Sequence, residues 1–241
     1  MTLEVTVLGC DGSYPGPGGA CSGYLVTCEE TRVWLDAGSG TLANLQRHVA
    51  IEDVDAVVIS HQHPDHWTDL EHFAVACRWI IGRTGVPVFA PNGLASLTRV
   101  GSAADAFDWH TMGDGDEVVF GALRLSFSQT DHPVTTLAVR IDGAGRSLGY
   151  SADSGPAWGL ESLGPGLHLA LCEATFLSDK ENTMQHLSAR QAGATARAAG
   201  VERLVITHLG PRVDRQAARA EAAESFGADV TVAAIGARYE V

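Results

Sequence analysis

Ser60-His61-Gln62-His63-Pro64-Asp65-His66-Trp67-Thr68-Asp69 is the stretch on which the reading of this chain turns. Within six positions it offers His61, His63, Asp65 and His66. Left unpaired in a core, each of these groups would lose hydration that nothing replaces. Grouped and aimed at one point, three imidazoles and a carboxylate suit a borderline metal such as zinc. The run before them, Val54-Asp55-Ala56-Val57-Val58-Ile59-Ser60, is apolar and β-branched and predicts a buried strand. After them, Leu70, Phe73, Ala74, Cys77 and Ile81 fall at helical spacing. The cluster therefore sits on a strand-to-helix turn. His61 and His63, two apart on extended chain, point to one side. Pro64 turns the chain, so Asp65 and His66 face a second point nearby. One metal takes about four ligands, and the stretch reads as the start of a two-metal site completed from elsewhere.

Working outward, acids and imidazoles recur where predicted strands end. Residues 21–28 and 31–36 predict a hairpin around Glu29-Glu30, ending at Asp36 before Ala37-Gly38-Ser39-Gly40. Asp36 can cap a helix over 41–49 or accept a hydrogen bond from a ligand histidine. Residues 86–90 predict a strand and 91–101 a helix; 117–129 predict two strands turning at Gly121. The second of these runs into Thr130-Asp131-His132-Pro133. A hairpin over 135–141 and 146–150 leads to Asp153, a strand over 167–172 to Glu173, and a strand over 203–207 to His208. Helices are expected at 189–199, with Ser188 as N-cap, and at 214–226, with short strands near 229–232 and 236–240. His48, His72 and His168 read as packing or surface residues, and His110 has no partner pattern. The Gly- and Pro-dense segment Cys10–Gly19 reads first as a connecting loop, and second as a site edge whose N–H groups face an oxyanion. Delivering polar groups at strand ends is how a layered α/β scaffold assembles a site from distant segments.

Composition narrows the function. The 241 residues suit one domain spanning 1–241, with no visible linker or repeat. A net charge of -13 argues against a broad basic surface for nucleic acid or anionic membrane. It leaves room for a small anionic substrate, because bound metals reverse the local sign. No signal peptide or membrane span is read. Five cysteines without a CxxC pair fit reduced thiols and a cytoplasmic location. Of these, Cys10 is expected nearest the site.

Taken together, these residues resemble the metallo-β-lactamase superfamily over nearly the whole length. Asp36 stands at the family's first motif, His61-x-His63-x-Asp65-His66 at the second, His132 at the third, Asp153 at the fourth and His208 at the fifth. The resemblance implies an αββα sandwich: two mixed sheets face to face, helices outside, metals at one edge. Cys172-Glu173-Ala174-Thr175, His186-Leu187-Ser188 and Leu204–His208 are similar to the tRNA 3′-endonuclease Z branch, which also contains small phosphodiesterases. That branch's tRNA-gripping arm is not apparent. Tyr14-Pro15-Gly16-Pro17-Gly18 stands where its Arg/Asn-bearing loop would be.

By resemblance, His61, His63 and His132 hold one divalent metal, Asp65, His66 and His208 a second, and Asp153 bridges them. Zinc is the first choice from the imidazole count, with manganese or iron as alternatives. Such a pair lowers the pKa of a shared water, which attacks phosphorus. Asp65 also orients the nucleophile. His186, held by Glu173, resembles the family's pair that donates a proton to the leaving oxygen or steadies the phosphate. The expected function is a phosphodiesterase for a small, cyclic-nucleotide-like diester. The alternatives are a carboxylic ester, thioester or lactone hydrolase, a tRNA 3′-processing endonuclease, and a non-catalytic metal sensor. A homodimer is expected from the resemblance alone.

Overall fold

Val57 and Val58 are neighbours in the chain and face opposite ways. Val58 packs among residues of two different sheets, and Val57 packs toward helices. That alternation, repeated along every central strand, builds the molecule in layers. The computed structural model describes residues 2–241. Its first sheet is formed by β1 (Leu3–Gly9), β2 (Gly23–Cys28), β3 (Thr31–Ala37), β4 (Ala56–Val58), β5 (Val86–Pro91), β6 (Phe107–Met112) and β14 (Arg238–Glu240). They lie in the order β14-β1-β2-β3-β4-β5-β6. The second sheet is formed by β7 (Glu117–Phe120), β8 (Leu123–Gln129), β9 (Leu137–Gly143), β10 (Arg146–Tyr150), β11 (Leu169–Glu173), β12 (Arg203–Thr207) and β13 (Val230–Val232). Its order is β13-β12-β11-β10-β9-β8-β7.

Each sheet is mixed in the same way. Strands β3 to β6 are parallel, as are β10 to β13, and the remaining neighbours pair antiparallel. Leu3, Val5, Val26, Val33 and Val58 of the first sheet meet Leu125, Val139, Leu148, Leu169 and Val205 of the second in one buried core. Outside the first sheet lie α1 (Thr41–Leu45) and α2 (Asp69–Val75), whose Leu45, Leu70 and Phe73 cover Trp34 and Val57. The short α3 (Leu94–Leu97) lies on the same side. Outside the second sheet, α4 (Ala189–Ala198) and α5 (Arg215–Phe226) lay alanines on Ala170, Cys172 and Ile206. The result is the expected αββα sandwich. No helix among the described residues is long and apolar enough to cross a membrane.

Several sequence expectations change. The helix read over 41–49 keeps helical form only to Leu45. The helix read over 91–101 shrinks to Leu94–Leu97, because Gly93 enters it with φ 95° and Thr98 leaves it extended. The helical spacing through Ile81 is interrupted: α2 passes at Ala76 into a π-helical segment, Ala76–Ile81. Strand β6 was not read from sequence. It is an edge strand, and its exposed Asp108, His110 and Thr111 give no alternating signal. Asp36 caps nothing: α1 follows Gly40, and the carboxylate at its N-terminus is that of Asp69, which accepts from Leu42 N–H at 2.8 Å. Ser188 does cap α4, in a reciprocal arrangement with Gln191.

Candidate metal centre

Parallel strands end together, and here five of them end at one edge. There β3 delivers Asp36, β4 is followed by His61, β10 by Asp153 and β12 by His208, while β11 ends in Glu173. Antiparallel β8 runs out to the same edge and is followed by His132. The turn after β4 then brings in His63, Asp65 and His66 on a short 3-10 segment, Pro64–His66. All seven expected ligands meet.

They meet as two groups that share one carboxylate. His61 Nε2 and His132 Nε2 each lie 3.1 Å from His63 Nδ1. The same two nitrogens lie 3.4 and 3.8 Å from Asp153 Oδ2. On the other side, His66 Nε2 and His208 Nε2 lie 3.2 and 3.3 Å from Asp153 Oδ1. They lie 3.6 and 3.2 Å from Asp65 Oδ2. Each oxygen of Asp153 thus faces one group.

The surrounding hydrogen bonds assign the tautomers. Ser60 donates its backbone N–H and its hydroxyl to Asp36, at 2.7 and 2.8 Å. Its Oγ is therefore left to accept from His61 Nδ1 at 3.0 Å. His66 Nδ1 donates to Asp36 Oδ2 at 2.7 Å. The Thr175 hydroxyl donates to Glu173 Oε2 at 2.6 Å and so accepts from His208 Nδ1 at 2.9 Å. His132 Nδ1 donates to the Gln185 carbonyl at 3.3 Å. All four imidazoles consequently turn Nε2 toward the carboxylates of Asp65 and Asp153. Ring nitrogens and carboxylate oxygens converging in this way can hold a cation between them. Two of these inward atoms, His66 Nε2 and Asp153 Oδ1, are buried without any hydrogen-bond partner. The donor set of imidazole nitrogen and carboxylate oxygen fits divalent transition metals, zinc among them.

The electrostatics agree. Burial works against an imidazolium at His66 and at His208, yet the carboxylates facing each ring, Asp153 foremost, outweigh it and raise both. Burial lowers His61, and lowers His132 to about 3. Burial opposes the charge on Asp65 and Asp153, but the imidazoles around them hold both below the usual carboxylate range. Carboxylate charge thus outweighs burial at His66 and His208, and burial prevails at His61 and His132.

His186 and Glu173 stand beside these groups. His186 Nδ1 lies 3.0 Å from Glu173 Oε1, and 4.0 Å from Asp153 Oδ2. Burial lowers the pKa of His186, but Glu173 outweighs it and brings the ring to about 9. Glu173 is itself fixed by the N–H groups of Ser154 and Leu187 and by Thr175. The His186 ring stacks on His208, with centroids 5.6 Å apart and planes 17° apart.

Sequence reasoning missed Ser60, Thr175 and Tyr150, whose phenol donates to Asp36 at 2.7 Å. It also missed Asp131, which accepts N–H groups from Gly155 and Ala157 at 2.6 and 2.8 Å and ties Asp153's segment to that of His132. Hydroxyls and turn acids are too common to stand out without a fold around them. The loop Cys10–Gly19 is a site edge, because Ser13 N–H donates to Asp65 Oδ2 at 2.8 Å. What it meets is a carboxylate of the cluster, that of Asp65. Cys10 turns away from the site: its thiol donates to the Ala233 carbonyl in a cavity of about 440 Å³ shared with Arg215.

Two facing mixed sheets with a His/Asp cluster able to hold metal at one edge define a metallo-hydrolase type of scaffold. The chain belongs to the metallo-β-lactamase superfamily, the model of the beta-lactamase superfamily domain matching residues 31–209. It is 34% identical to the uncharacterized protein Rv1339 of Mycobacterium tuberculosis, over all of this chain and 93% of the relative. It is 31% identical to the probable metallo-hydrolase YhfI of Bacillus subtilis, over 99% of this chain and all of the relative. The crystal structure of YhfI superposes with a TM-score of 0.91, covering 99% of each chain at 27% identity. The ribonuclease Z of Methanopyrus kandleri is 28% identical over 93% of each chain.

Proposed function

We propose that the protein is a metal-dependent phosphodiesterase acting on a small anionic phosphodiester of the cyclic-nucleotide kind. His61, His63 and His132 would hold one divalent cation and Asp65, His66 and His208 a second, with Asp153 shared. Zinc is the first choice and manganese or iron the alternatives. When bound, such cations supply a water of lowered pKa and positive charge against the phosphoryl oxygens. The chain's own residues supply the rest. Asp36, through His66 and through Ser60 to His61, keeps the ligand lone pairs aimed inward. Asp65, restrained by Ser13, orients the attacking water. His186, held at Nδ1 by Glu173, would hand a proton to the departing alkoxide.

The observation that carries this reading is the Glu173–His186 pair beside Asp153. An alkoxide leaving phosphorus needs a proton donor, and His186 is an imidazole at the cluster that this reading does not spend on holding metal. The likeness to a ribonuclease, an enzyme of phosphodiesters, supports phosphorus as the reacting centre. The net charge of -13 argues for a small diester over tRNA. Five buried free thiols suit a reducing cytoplasm.

The test is turnover by metal-loaded protein of bis-p-nitrophenyl phosphate, cyclic mononucleotides, a tRNA precursor and a panel of lactones and thioesters. Diester hydrolysis with little action on the carbonyl substrates is expected. Turnover of the lactones alone would move the reaction to carbon, and turnover of nothing would favour a metal sensor.

A further inference from the structure

The segment leaving β8 carries His132, and the segment leaving β10 carries Asp153. Four hydrogen bonds join the two. Thr130 Oγ donates to the Asp153 carbonyl at 2.7 Å, and Trp158 Nε1 donates to Ser128 Oγ at 3.2 Å. Between these, Asp131 takes the Gly155 N–H on one carboxylate oxygen and the Ala157 N–H on the other. Bonds to a charged acceptor are the stronger kind. The Asp131 backbone carbonyl also accepts from the side-chain amide of Gln185, the residue before His186. From this junction we infer that Asp131 is a positioning residue. It locks the segments of His132, Asp153 and His186 to one another, and it governs the cation subsite of His61, His63 and His132 more than that of Asp65, His66 and His208.

The three segments meet at Gly155 with no space to spare. A Cβ added there would lie 2.7 Å from Asp131 Oδ2 and 2.8 Å from Gln185 Cγ. Beyond Gly155, the stretch Pro156-Ala157-Trp158 borders a cavity of about 360 Å³ that Leu187 and Gln191 also line. A stretch bordering open space is fixed less by packing and more by its hydrogen bonds. His132 depends on the same junction: its Nδ1 donates to the carbonyl of Gln185, whose side chain is tied to Asp131. The rings of His132 and His186 stand 5.0 Å apart across this link. The other subsite is anchored elsewhere. Asp65 is held by Ser13, His66 by Asp36 and His208 by Thr175, and none of these bonds involves Asp131. Loosening the junction should therefore reach the two subsites unequally.

The inference rests on the reading of two cation subsites, and one of its tests needs no metal. In the metal-free protein, the Gly155 and Ala157 amide hydrogens should exchange about tenfold faster or more in Asp131→Ala than in wild type, followed by NMR. Asp131→Asn keeps one acceptor oxygen and should fall between the two. Zinc affinity is then read by chelator competition in two backgrounds. His208→Ala leaves the subsite of His61, His63 and His132, and His132→Ala leaves the other. Adding Asp131→Ala to the first should weaken zinc about ten- to hundredfold, the usual cost of losing a group that orients a ligand. Adding it to the second should change little. Gly155→Ala, which removes no acceptor and no ligand, should show the same inequality. A general loss of structure would weaken both backgrounds alike. That result, no weakening in either, or unchanged exchange at both amides would overturn the inference while zinc uptake by the wild type upheld the metal reading. Wild type that takes up no zinc would bring down the two-subsite reading, and the claim about affinity with it.

Discussion

Asp36 Oδ2 and His66 Nδ1 lie 2.7 Å apart, with both side chains wholly out of solvent. The same oxygen also takes the hydroxyls of Ser60 and Tyr150. It therefore has acceptor character alone to offer, and His66 must give it a proton. Nε2 is thereby the ring atom turned toward Asp153 and Asp65. A carboxylate thirty positions away in the sequence thus sets which face of the imidazole is reactive.

Asp36→Asn tests that relationship. The amide would put a donor among three donors, so His66 could satisfy it only by moving its proton to Nε2. Metal affinity should fall about ten- to hundredfold, read by competition against a chromophoric chelator. Affinity equal to wild type would show that Asp36 does not fix the tautomer.

His186→Gln should separate chemistry from binding. Removing a general acid typically costs about a hundred- to ten-thousandfold in rate, and turnover of a diester with a poor leaving group should fall on that scale while metal content holds. His186 also lies with Asp153 and His208 in a group whose ligand atoms are within 4.8 Å of one another. If metal left the protein together with activity, His186 would be a ligand and the proton donor would have to be sought elsewhere.

Gly12→Ala probes the packing around His208. The new Cβ would lie 2.5 Å from the His208 carbonyl oxygen and 2.8 Å from its Nδ1. Something must move, and the ring held by Thr175 is the group with least room. Elemental analysis should find less metal bound, with far-UV circular dichroism unchanged. Full occupancy in this variant would mean that the loop yields instead.

A pH effect independent of the site is expected at the other end of the molecule. Burial works against the charge of Asp142, but hydrogen bonds from Arg140 and Ser147 outweigh it and hold its carboxyl below the usual range. A pKa depressed on folding stabilises the protein above the unfolded value of about 3.9, and that stability drains away as pH falls through the folded value. In the metal-free protein, thermal melts between pH 6 and pH 3 should show a smaller acid loss for Asp142→Asn than for wild type. Parallel curves would rule the pair out as a source of acid sensitivity.

Much of the fold and site could be read before any coordinates, for a physical reason. His61 to His66 are close in sequence, so their common purpose is visible locally. Asp36, Asp153, Glu173 and His208 each end a strand whose apolar run is plain, and strand ends are where a layered scaffold gathers side chains. What escaped notice depends on partners distant in the chain. Tyr150 looks like one more strand aromatic until it is seen donating to Asp36. Thr175 looks like a turn residue until it links Glu173 with His208. The edge strand Phe107–Met112 has little buried face to pattern it, and the helix through Ile81 gives no sequence sign of its change to π form.

The central claim is that Asp153 and the histidines around it hold a pair of divalent cations. Calorimetric titration of metal-free protein with zinc tests it most directly. Two tight equivalents per chain are expected for wild type, with tight binding largely lost in Asp153→Ala. No tight binding in the wild type, or binding that is the same without Asp153, would contradict the account.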